Sequence, residues 1–223
     1  MHECKREVIN LTLFLSVCDK YRMLVSELER FRMDPQQTYV TGTIPRQAPA
    51  LVSNIPRYPN LAVYQIRSGE TLFVLGVTVT RGSRRKLIAS LSFDTHQSRK
   101  FFWPVDGFDV IFSKVIPDYQ GQGIGLAVYR ELILQLKWNL YATGSHSGGG
   151  EKLWQRLSQT PGIVVYALQQ PDVVVKPPLT AQGLRLPNGE DFYLAVDQNP
   201  WSLIAVAEDG PSDNALKKLM KNA

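Results

Sequence analysis

Leu11, Phe14, Cys18, Tyr21, Val25 and Leu28 recur at spacings of three and four. That stripe predicts an amphipathic helix over about residues 5–32, closed by Asp34-Pro35. Pro35, Pro45, Pro49, Pro56 and Pro59 keep the next stretch of chain mostly in loop. From Leu61 the period changes. Leu61–Ile66, Leu72–Thr80 and Leu87–Phe93 are rich in β-branched and aromatic residues and read as strands. Arg81-Gly-Ser-Arg-Arg85 reads as the hairpin turn between the last two.

Phe108–Val115 is a near-continuous apolar run, as expected of a strand covered on both faces. A helix is predicted from Gly125 to Trp138, where Ile124, Val128, Leu132, Leu136 and Leu140 recur every four residues. A short strand, Asn139–Thr143, leads into Ser145-His-Ser-Gly-Gly-Gly150. A second helix (Glu151–Leu157), a strand (Ile163–Leu168), late strands (Phe192–Val196 and Ser202–Ala207) and a basic helical tail from Asp213 complete the chain. Helix, antiparallel strands, then strand–helix–strand–helix–strand is the order of an α+β domain with a mixed sheet, not a doubly wound one. The expected organisation is an N-terminal helix with proline-rich connector (1–58), a main domain (59–210) and a basic tail (211–223).

Composition narrows the function only mildly. Of 223 residues, 44% are apolar and 20% charged, ordinary for a globular chain. The 25 Lys and Arg against 20 Asp and Glu leave a charge of +5, which suits an anionic ligand or nucleic acid. Cys4 and Cys18 would stand roughly 21 Å apart on a helix, beyond disulfide reach, so a reducing cytoplasm is expected. The cysteines and histidines show no metal-ligand spacing, and no metal is expected. Lys5-Arg6 ahead of Val8–Cys18 has the outline of a signal peptide, but Glu3 and Glu7 sit in its charged part and no small-residue cleavage site comes after it. The helix reading is preferred there, and no membrane span is expected.

The chemistry concentrates where the Phe108–Val115 run meets Gly121, Gly123 and Gly125 and then a helix. Such a junction presents backbone N–H groups beside a positive helix N-terminus, a site for phosphate or pyrophosphate. No Gly-Lys-Ser/Thr closes it, so it is no Walker A loop, and the hairpins before it are no dinucleotide-binding βαβ unit.

With its flanks, Val115-Ile-Pro-Asp-Tyr-Gln-Gly-Gln-Gly-Ile-Gly125 resembles motif A of the GCN5-related N-acetyltransferases (GNAT), Gln/Arg-x-x-Gly-x-Gly/Ala. Here it reads Gln120-x-x-Gly123-x-Gly125, led in by Pro117-Asp-Tyr119. The resemblance spans about residues 60–170. It implies a GNAT-like fold, a mixed and mostly antiparallel central sheet flanked by helices, to which the N-terminal helix is an addition. It also implies a site for acetyl-CoA or another acyl-CoA. The backbone of Gln120, Gly121, Gln122, Gly123, Ile124 and Gly125 would hold the pyrophosphate. Main-chain groups near Lys114 and Val115 would pair with pantetheine where the strand splays from its neighbour.

In the family's histone-modifying members a Glu stands eleven residues before the motif's Gln; here that position is Asp109. A buried Asp109 with a raised pKa would serve as base; the alternative is a strand-start Asp capping a turn after Asp106-Gly107. Many members carry a Tyr on the second helix as proton donor, but Trp154 stands in that place. Either another group serves, such as Tyr141, His146 or Ser147, or the thiolate leaves unassisted, or the chemistry is absent; Tyr129 reads as structural. The resemblance thus implies an acyl-CoA-dependent N-acyltransferase acting on a small-molecule or macromolecular amine. A bacteriophage-type GNAT-like protein that modifies or binds nucleic acid is one alternative, drawing on Lys217, Lys218 and Lys221. Arg81, Arg84, Arg85 and Lys86 read as a solvated hairpin tip, or as contacts for the 3′-phosphate of CoA or for nucleic-acid phosphates. A non-catalytic structural or interaction protein is the other alternative, with the N-terminal helix as a docking or oligomerisation element.

Overall fold

The computed structural model describes residues 43–44, 50–68, 72–82, 84–94, 104–143, 148–169, 173–175, 179–180, 183–186, 188–192 and 201–222. The helix read over 5–32, both cysteines, the Ser145–Ser147 stretch with His146, and all of Phe192–Val196 beyond Phe192 lie outside the described residues.

In chain order the elements are β1 (Thr43–Ile44), β2 (Leu61–Ser68), β3 (Leu72–Arg81), β4 (Arg84–Asp94), β5 (Phe108–Val115), α1 (Ile124–Leu134), β6 (Leu140–Thr143), α2 (Gly148–Ser158), β7 (Ile163–Gln169), β8 (Val173–Val175), β9 (Leu179–Thr180), β10 (Gly183–Leu184), β11 (Trp201–Ala207) and α3 (Pro211–Asn222). The main sheet runs β2-β3-β4-β5-β6-β11-β7-β8, with β1 laid along β4. Among the described strands of this sheet only β5 and β6 pair in parallel, because the α1 crossover carries the chain back to the same end of the sheet. The mixed, mostly antiparallel α+β sheet expected from the sequence is the one observed. β11 slots between β6 and β7, antiparallel to both.

Alternating side chains feed two cores. Leu140 and Ala142 of β6 join Ile124, Val128 and Leu132 of α1 and Trp154 and Leu157 of α2. Tyr141, between them in sequence, joins Val164, Tyr166, Ile204 and Val206 with Leu216 of α3 on the other face. The expected basic tail is therefore the docked helix α3. Asp213 is buried; it accepts from the Tyr166 hydroxyl (2.5 Å) and the Asp209 amide (2.7 Å) and pairs with Lys217 (2.7 Å). Burial alone would raise the Asp213 pKa, but Lys217 and these donors hold it below the usual carboxylate range.

Two boundaries differ from the sequence reading. α1 stops at Leu134, and Lys137 turns the chain with φ 57°, so Leu140 enters a strand and its place in the four-residue repeat is incidental. α2 begins at Gly148, three residues before Glu151. Burial of Trp154 and Leu157 carries the helix back through three poor helix formers.

The parallel contact of β5 with β6 is very short. Phe108 stands opposite Leu140 and Asp109 opposite Tyr141, and the ladder ends there. Beyond that point β5 stays with β4 as far as Val115, while β6 stays with β11. The closed end of this V is tightly clamped. The Phe108 amide donates to Asn139 O (2.9 Å), Asn139 Nδ2 to Asp106 O (2.6 Å), and the Tyr141 hydroxyl to Val105 O (2.7 Å). Phe108 also stacks on Trp138 with centroids 4.3 Å apart, and Phe93 meets both edge-on. A Cβ on Gly107 would fall 2.6 Å from both Asn139 O and the Tyr141 ring. Gly107→Ala is therefore expected to destabilise the fold by about 1–3 kcal/mol, read as a loss of several degrees in Tm. An unchanged Tm would mean that the closed end is not tightly packed.

Candidate functional site

The V opens toward the glycine loop. The Ile116 amide donates to Ile88 O on β4 (2.9 Å), so the preceding residue, Val115, turns its N–H and C=O away from β4 into the opening. By the same alternation Ser113 faces the opening and Lys114, opposite Ser90, faces β4. Between Ser92 and Phe93 the register slips from Phe112 to Val110, leaving Ile111 as an unpaired bulge residue with 55% of its surface exposed.

After β5 the chain makes a 3₁₀ turn, Pro117–Tyr119, and enters the loop. Gly121 (φ 73°) and Gly123 (φ 77°) both hold left-handed backbone, which side-chain-bearing residues resist by about 1–2 kcal/mol. Gly123 is the N-cap of α1. Nothing lies within 4 Å of a Cβ built on Gly121, so that side of the loop is open. Gly125 has another reason: its Cβ would meet Leu153 of α2 at 3.1 Å, so its smallness lets the two helices close. The first α1 amide to bond backward is Ala127, to Gly123 O (3.1 Å). The amides of Ile124, Gly125 and Leu126 therefore have no acceptor inside the helix. They cluster at the positive end of the α1 dipole.

Gln120 plays a different part from its neighbours. Its amide donates to Pro117 O (3.1 Å), and its side-chain Nε2 donates to Val115 O (2.8 Å). It braces the loop against the end of β5. Gln122 does likewise through Nε2 to Asp118 O (2.9 Å). Tyr58, 64 residues away in sequence, donates its hydroxyl to Gln122 O. Arg81, on the β3–β4 hairpin, donates from Nη2 to the Tyr119 hydroxyl (3.1 Å). Neither brace has a signal in local sequence.

At the apex of the V sits Asp109, 3% exposed. It does not cap the Asp106-Gly107 turn. Its carboxylate accepts from Thr143 Oγ1 (2.6 Å) and from the Thr143 amide (3.3 Å), tying β5 to β6 just past their last pair. Burial raises the Asp109 pKa; the two Thr143 donors oppose this, and Asp94, directly opposite on β4, adds to it.

The proton-donor candidates divide sharply. Tyr141 is fully buried in the α3-facing core with its hydroxyl given to Val105 O, and burial holds its phenol far above the ordinary value. It acts as a core residue. Trp154 is buried at 3% exposure in the α1–α2 core. Tyr129 is buried on α1, and its hydroxyl shares a hydrogen bond with Ser113 on β5, a pairing the sequence did not indicate. Its phenol too is raised by burial, partly offset by Ser113. Among the described residues no group of His, Cys, Asp and Glu could hold a metal ion, and no helix is long and apolar enough to cross a membrane.

No family model matches the chain, and no curated protein matches it. Two solved structures are similar. One is the ribosomal-protein-S18-alanine N-acetyltransferase from Escherichia coli, at 18% identity and TM-score 0.32, over 65% of this chain and 75% of that one. The other is a putative acetyltransferase of the GNAT family from Bacteroides thetaiotaomicron, at 13% identity and TM-score 0.33, over 92% of this chain and 91% of that one.

Gly123→Ala is expected to lower stability by about 1–2 kcal/mol through its left-handed backbone, with added crowding against the Tyr58 hydroxyl 3.3 Å from the new Cβ. Tyr58→Phe, which removes one hydrogen bond, should lower it by only about 1 kcal/mol. Thermal melts of the two variants check the order. If Tyr58→Phe costs nothing, Tyr58 is no brace. The hairpin strands, the loop-led helix and the later strand–helix–strand stand in the order that the motif's resemblance implies, and the fold is GNAT-like.

Proposed function

We propose that this chain is an N-acyltransferase that takes acetyl-CoA or another acyl-CoA as donor and an amine as acceptor, in a reducing cytoplasm. One observation carries the reading: an open glycine loop stands at the mouth of a cleft whose wall is a strand edge that no other described strand pairs. Gly121 to Gly125 fit a pyrophosphate, since the open side at Gly121 admits an anion to the main chain. The main chain of Ser113 and Val115 fits the amides of a pantetheine arm laid along β5 as an added strand. Val115 O already has Gln120 as one donor and keeps a second lone pair.

When bound, the donor supplies a thioester carbon open to attack. The protein's share is to make the amine neutral, to steady the developing oxyanion and to hold the departing sulfur. Asp109 takes the amine's proton; its raised pKa brings it nearer the working range of a general base. The unpaired bulge peptide at Ile111, between Asp109 and Ser113 on the same strand, offers an amide for the oxyanion. The Ser113–Tyr129 hydroxyl pair hydrogen-bonds the sulfur. Tyr129 keeps its own proton at neutral pH because its phenol titrates far above that range. A second reading, a CoA-binding protein without turnover, has one observation in its favour: the second helix presents the buried indole of Trp154 where a hydroxyl donor is expected.

Titration with acetyl-CoA should raise Tm, by an amount set by about 2.7 kcal/mol at a hundredfold excess over Kd. Gly123→Glu should abolish the shift. A folded protein with no shift at millimolar ligand would overturn the reading, and a shift without turnover on any amine would select the non-catalytic one. Asp109→Asn should lower kcat/KM by about 10²-fold or more. Because the Asp109 pKa is raised, its base form is lost as pH falls through that value, so wild-type kcat/KM declines on the acid side. That limb should vanish in Asp109→Asn; its survival would assign the base elsewhere.

A further inference from the structure

We infer that Arg81 recognises the 3′-phosphate of the CoA nucleotide and makes the site prefer CoA to its dephosphorylated form. The inference rests on the acyl-CoA reading above and goes further, to the end of the donor that the glycine loop does not hold.

The starting point is charge. The β3–β4 hairpin closes with Arg81 directly opposite Arg84, then Thr80 opposite Arg85 and Val79 opposite Lys86. Four of the six residues from 81 to 86 are cationic and none is acidic. Like charges set opposite each other destabilise a hairpin end, whereas a bound anion turns the same arrangement into a favourable one. β1 lies beside this end, with Thr43 opposite Lys86 and Ile44 opposite Arg85.

Direction comes from two contacts. The Arg85 guanidinium lies over the Tyr64 ring, 4.9 Å from its centroid, and so is turned across the sheet. Arg81 goes the other way. Its Nη2 donates to the hydroxyl of Tyr119, the last residue of the turn that leads into Gln120 and the loop. The hydrogen bond holds an exposed guanidinium beside the loop and uses one of its five N–H donors. The others form a planar fork suited to two phosphate oxygens.

The two phosphate groups of the donor have different needs. The pyrophosphate can lie against main-chain amides, and the glycines let it approach. The 3′-phosphomonoester carries about −1.5 to −2 charges at neutral pH and projects from the ribose, beyond the loop. It needs a side-chain cation that reaches out from an adjacent element. Arg81 is placed to be that cation.

Calorimetric titration of wild type and Arg81→Ala with CoA and with dephospho-CoA separates the possibilities. Wild type should bind CoA roughly 10–100-fold tighter than dephospho-CoA, the range for a charge-assisted hydrogen-bond pair. Arg81→Ala should lose that preference by weakening CoA well beyond any loss on dephospho-CoA that follows from removing the Tyr119 contact, and Arg81→Lys should keep part of it. Apo melts close to wild type would confirm that the variants are folded; Arg81→Gln serves if the alanine variant is not. An equal loss on both ligands would place Arg81 on the pyrophosphate or the loop and overturn the assignment. Wild-type protein that binds both ligands alike would also overturn it while leaving the acyl-CoA reading intact. Wild-type protein that binds neither would remove the acyl-CoA reading itself, and the assignment with it.

Discussion

Everything at the site depends on the early parting of two parallel strands. β5 and β6 pair through Phe108–Leu140 and Asp109–Tyr141 and then separate, because each keeps a different antiparallel neighbour. A strand edge inside a sheet is normally satisfied by the next strand. Here, among the described residues, no strand pairs with the main chain of Ser113 and Val115 on the side away from β4, and the chain leaves β5 for a loop that leads into the first amides of α1. The same event sets the parted end of β5 beside the glycine loop.

The closed and open ends of the V are built in opposite ways. At the closed end Gly107, the Phe93–Phe108–Trp138 cluster and the Asp109–Thr143 bonds leave no room for adjustment. At the open end the loop keeps its left-handed glycines and open space, and its shape is fixed from outside by Tyr58, Gln120 and the Arg81–Tyr119 bond. Rigidity at the apex holds Asp109 in a buried position that raises its pKa, while at the mouth the first amides of α1 have no acceptor inside the helix.

The strands from Leu61 to Val115, the loop and both later helices were legible because they are local: β-branched runs, glycines at a strand–helix junction and a four-residue apolar repeat. The N-terminal end of α2 was not, since Gly148–Gly150 are poor helix formers and only the burial of Trp154 and Leu157 makes them helical. Tyr141 looked available as a proton donor because sequence does not say which face of the sheet a residue in a three-residue apolar run will take. Its neighbours Leu140 and Ala142 went to the α1–α2 core and left Tyr141 to the other. Asp109 was singled out as a candidate by its distance from Gln120, but its partner Thr143 is 34 residues away and became visible only in three dimensions. Tyr58 and Tyr129 were hidden for the same reason. The basic tail was legible as a helix from Asp213, but not the ion pairs of Lys217 with Asp209 and Asp213 that tie it down.

Amide hydrogen exchange with and without acetyl-CoA tests the central claim most directly, because it reads the cleft wall and the loop residue by residue. Ligand should slow exchange at Ser113 and Val115 on β5 and at Gly121 to Gly125, while the clamped amide of Phe108 and the α3 helix stay as they were. Protection confined to other parts of the chain, or none in the presence of bound ligand, would show that the gap between β5 and β6 is not where the donor lies.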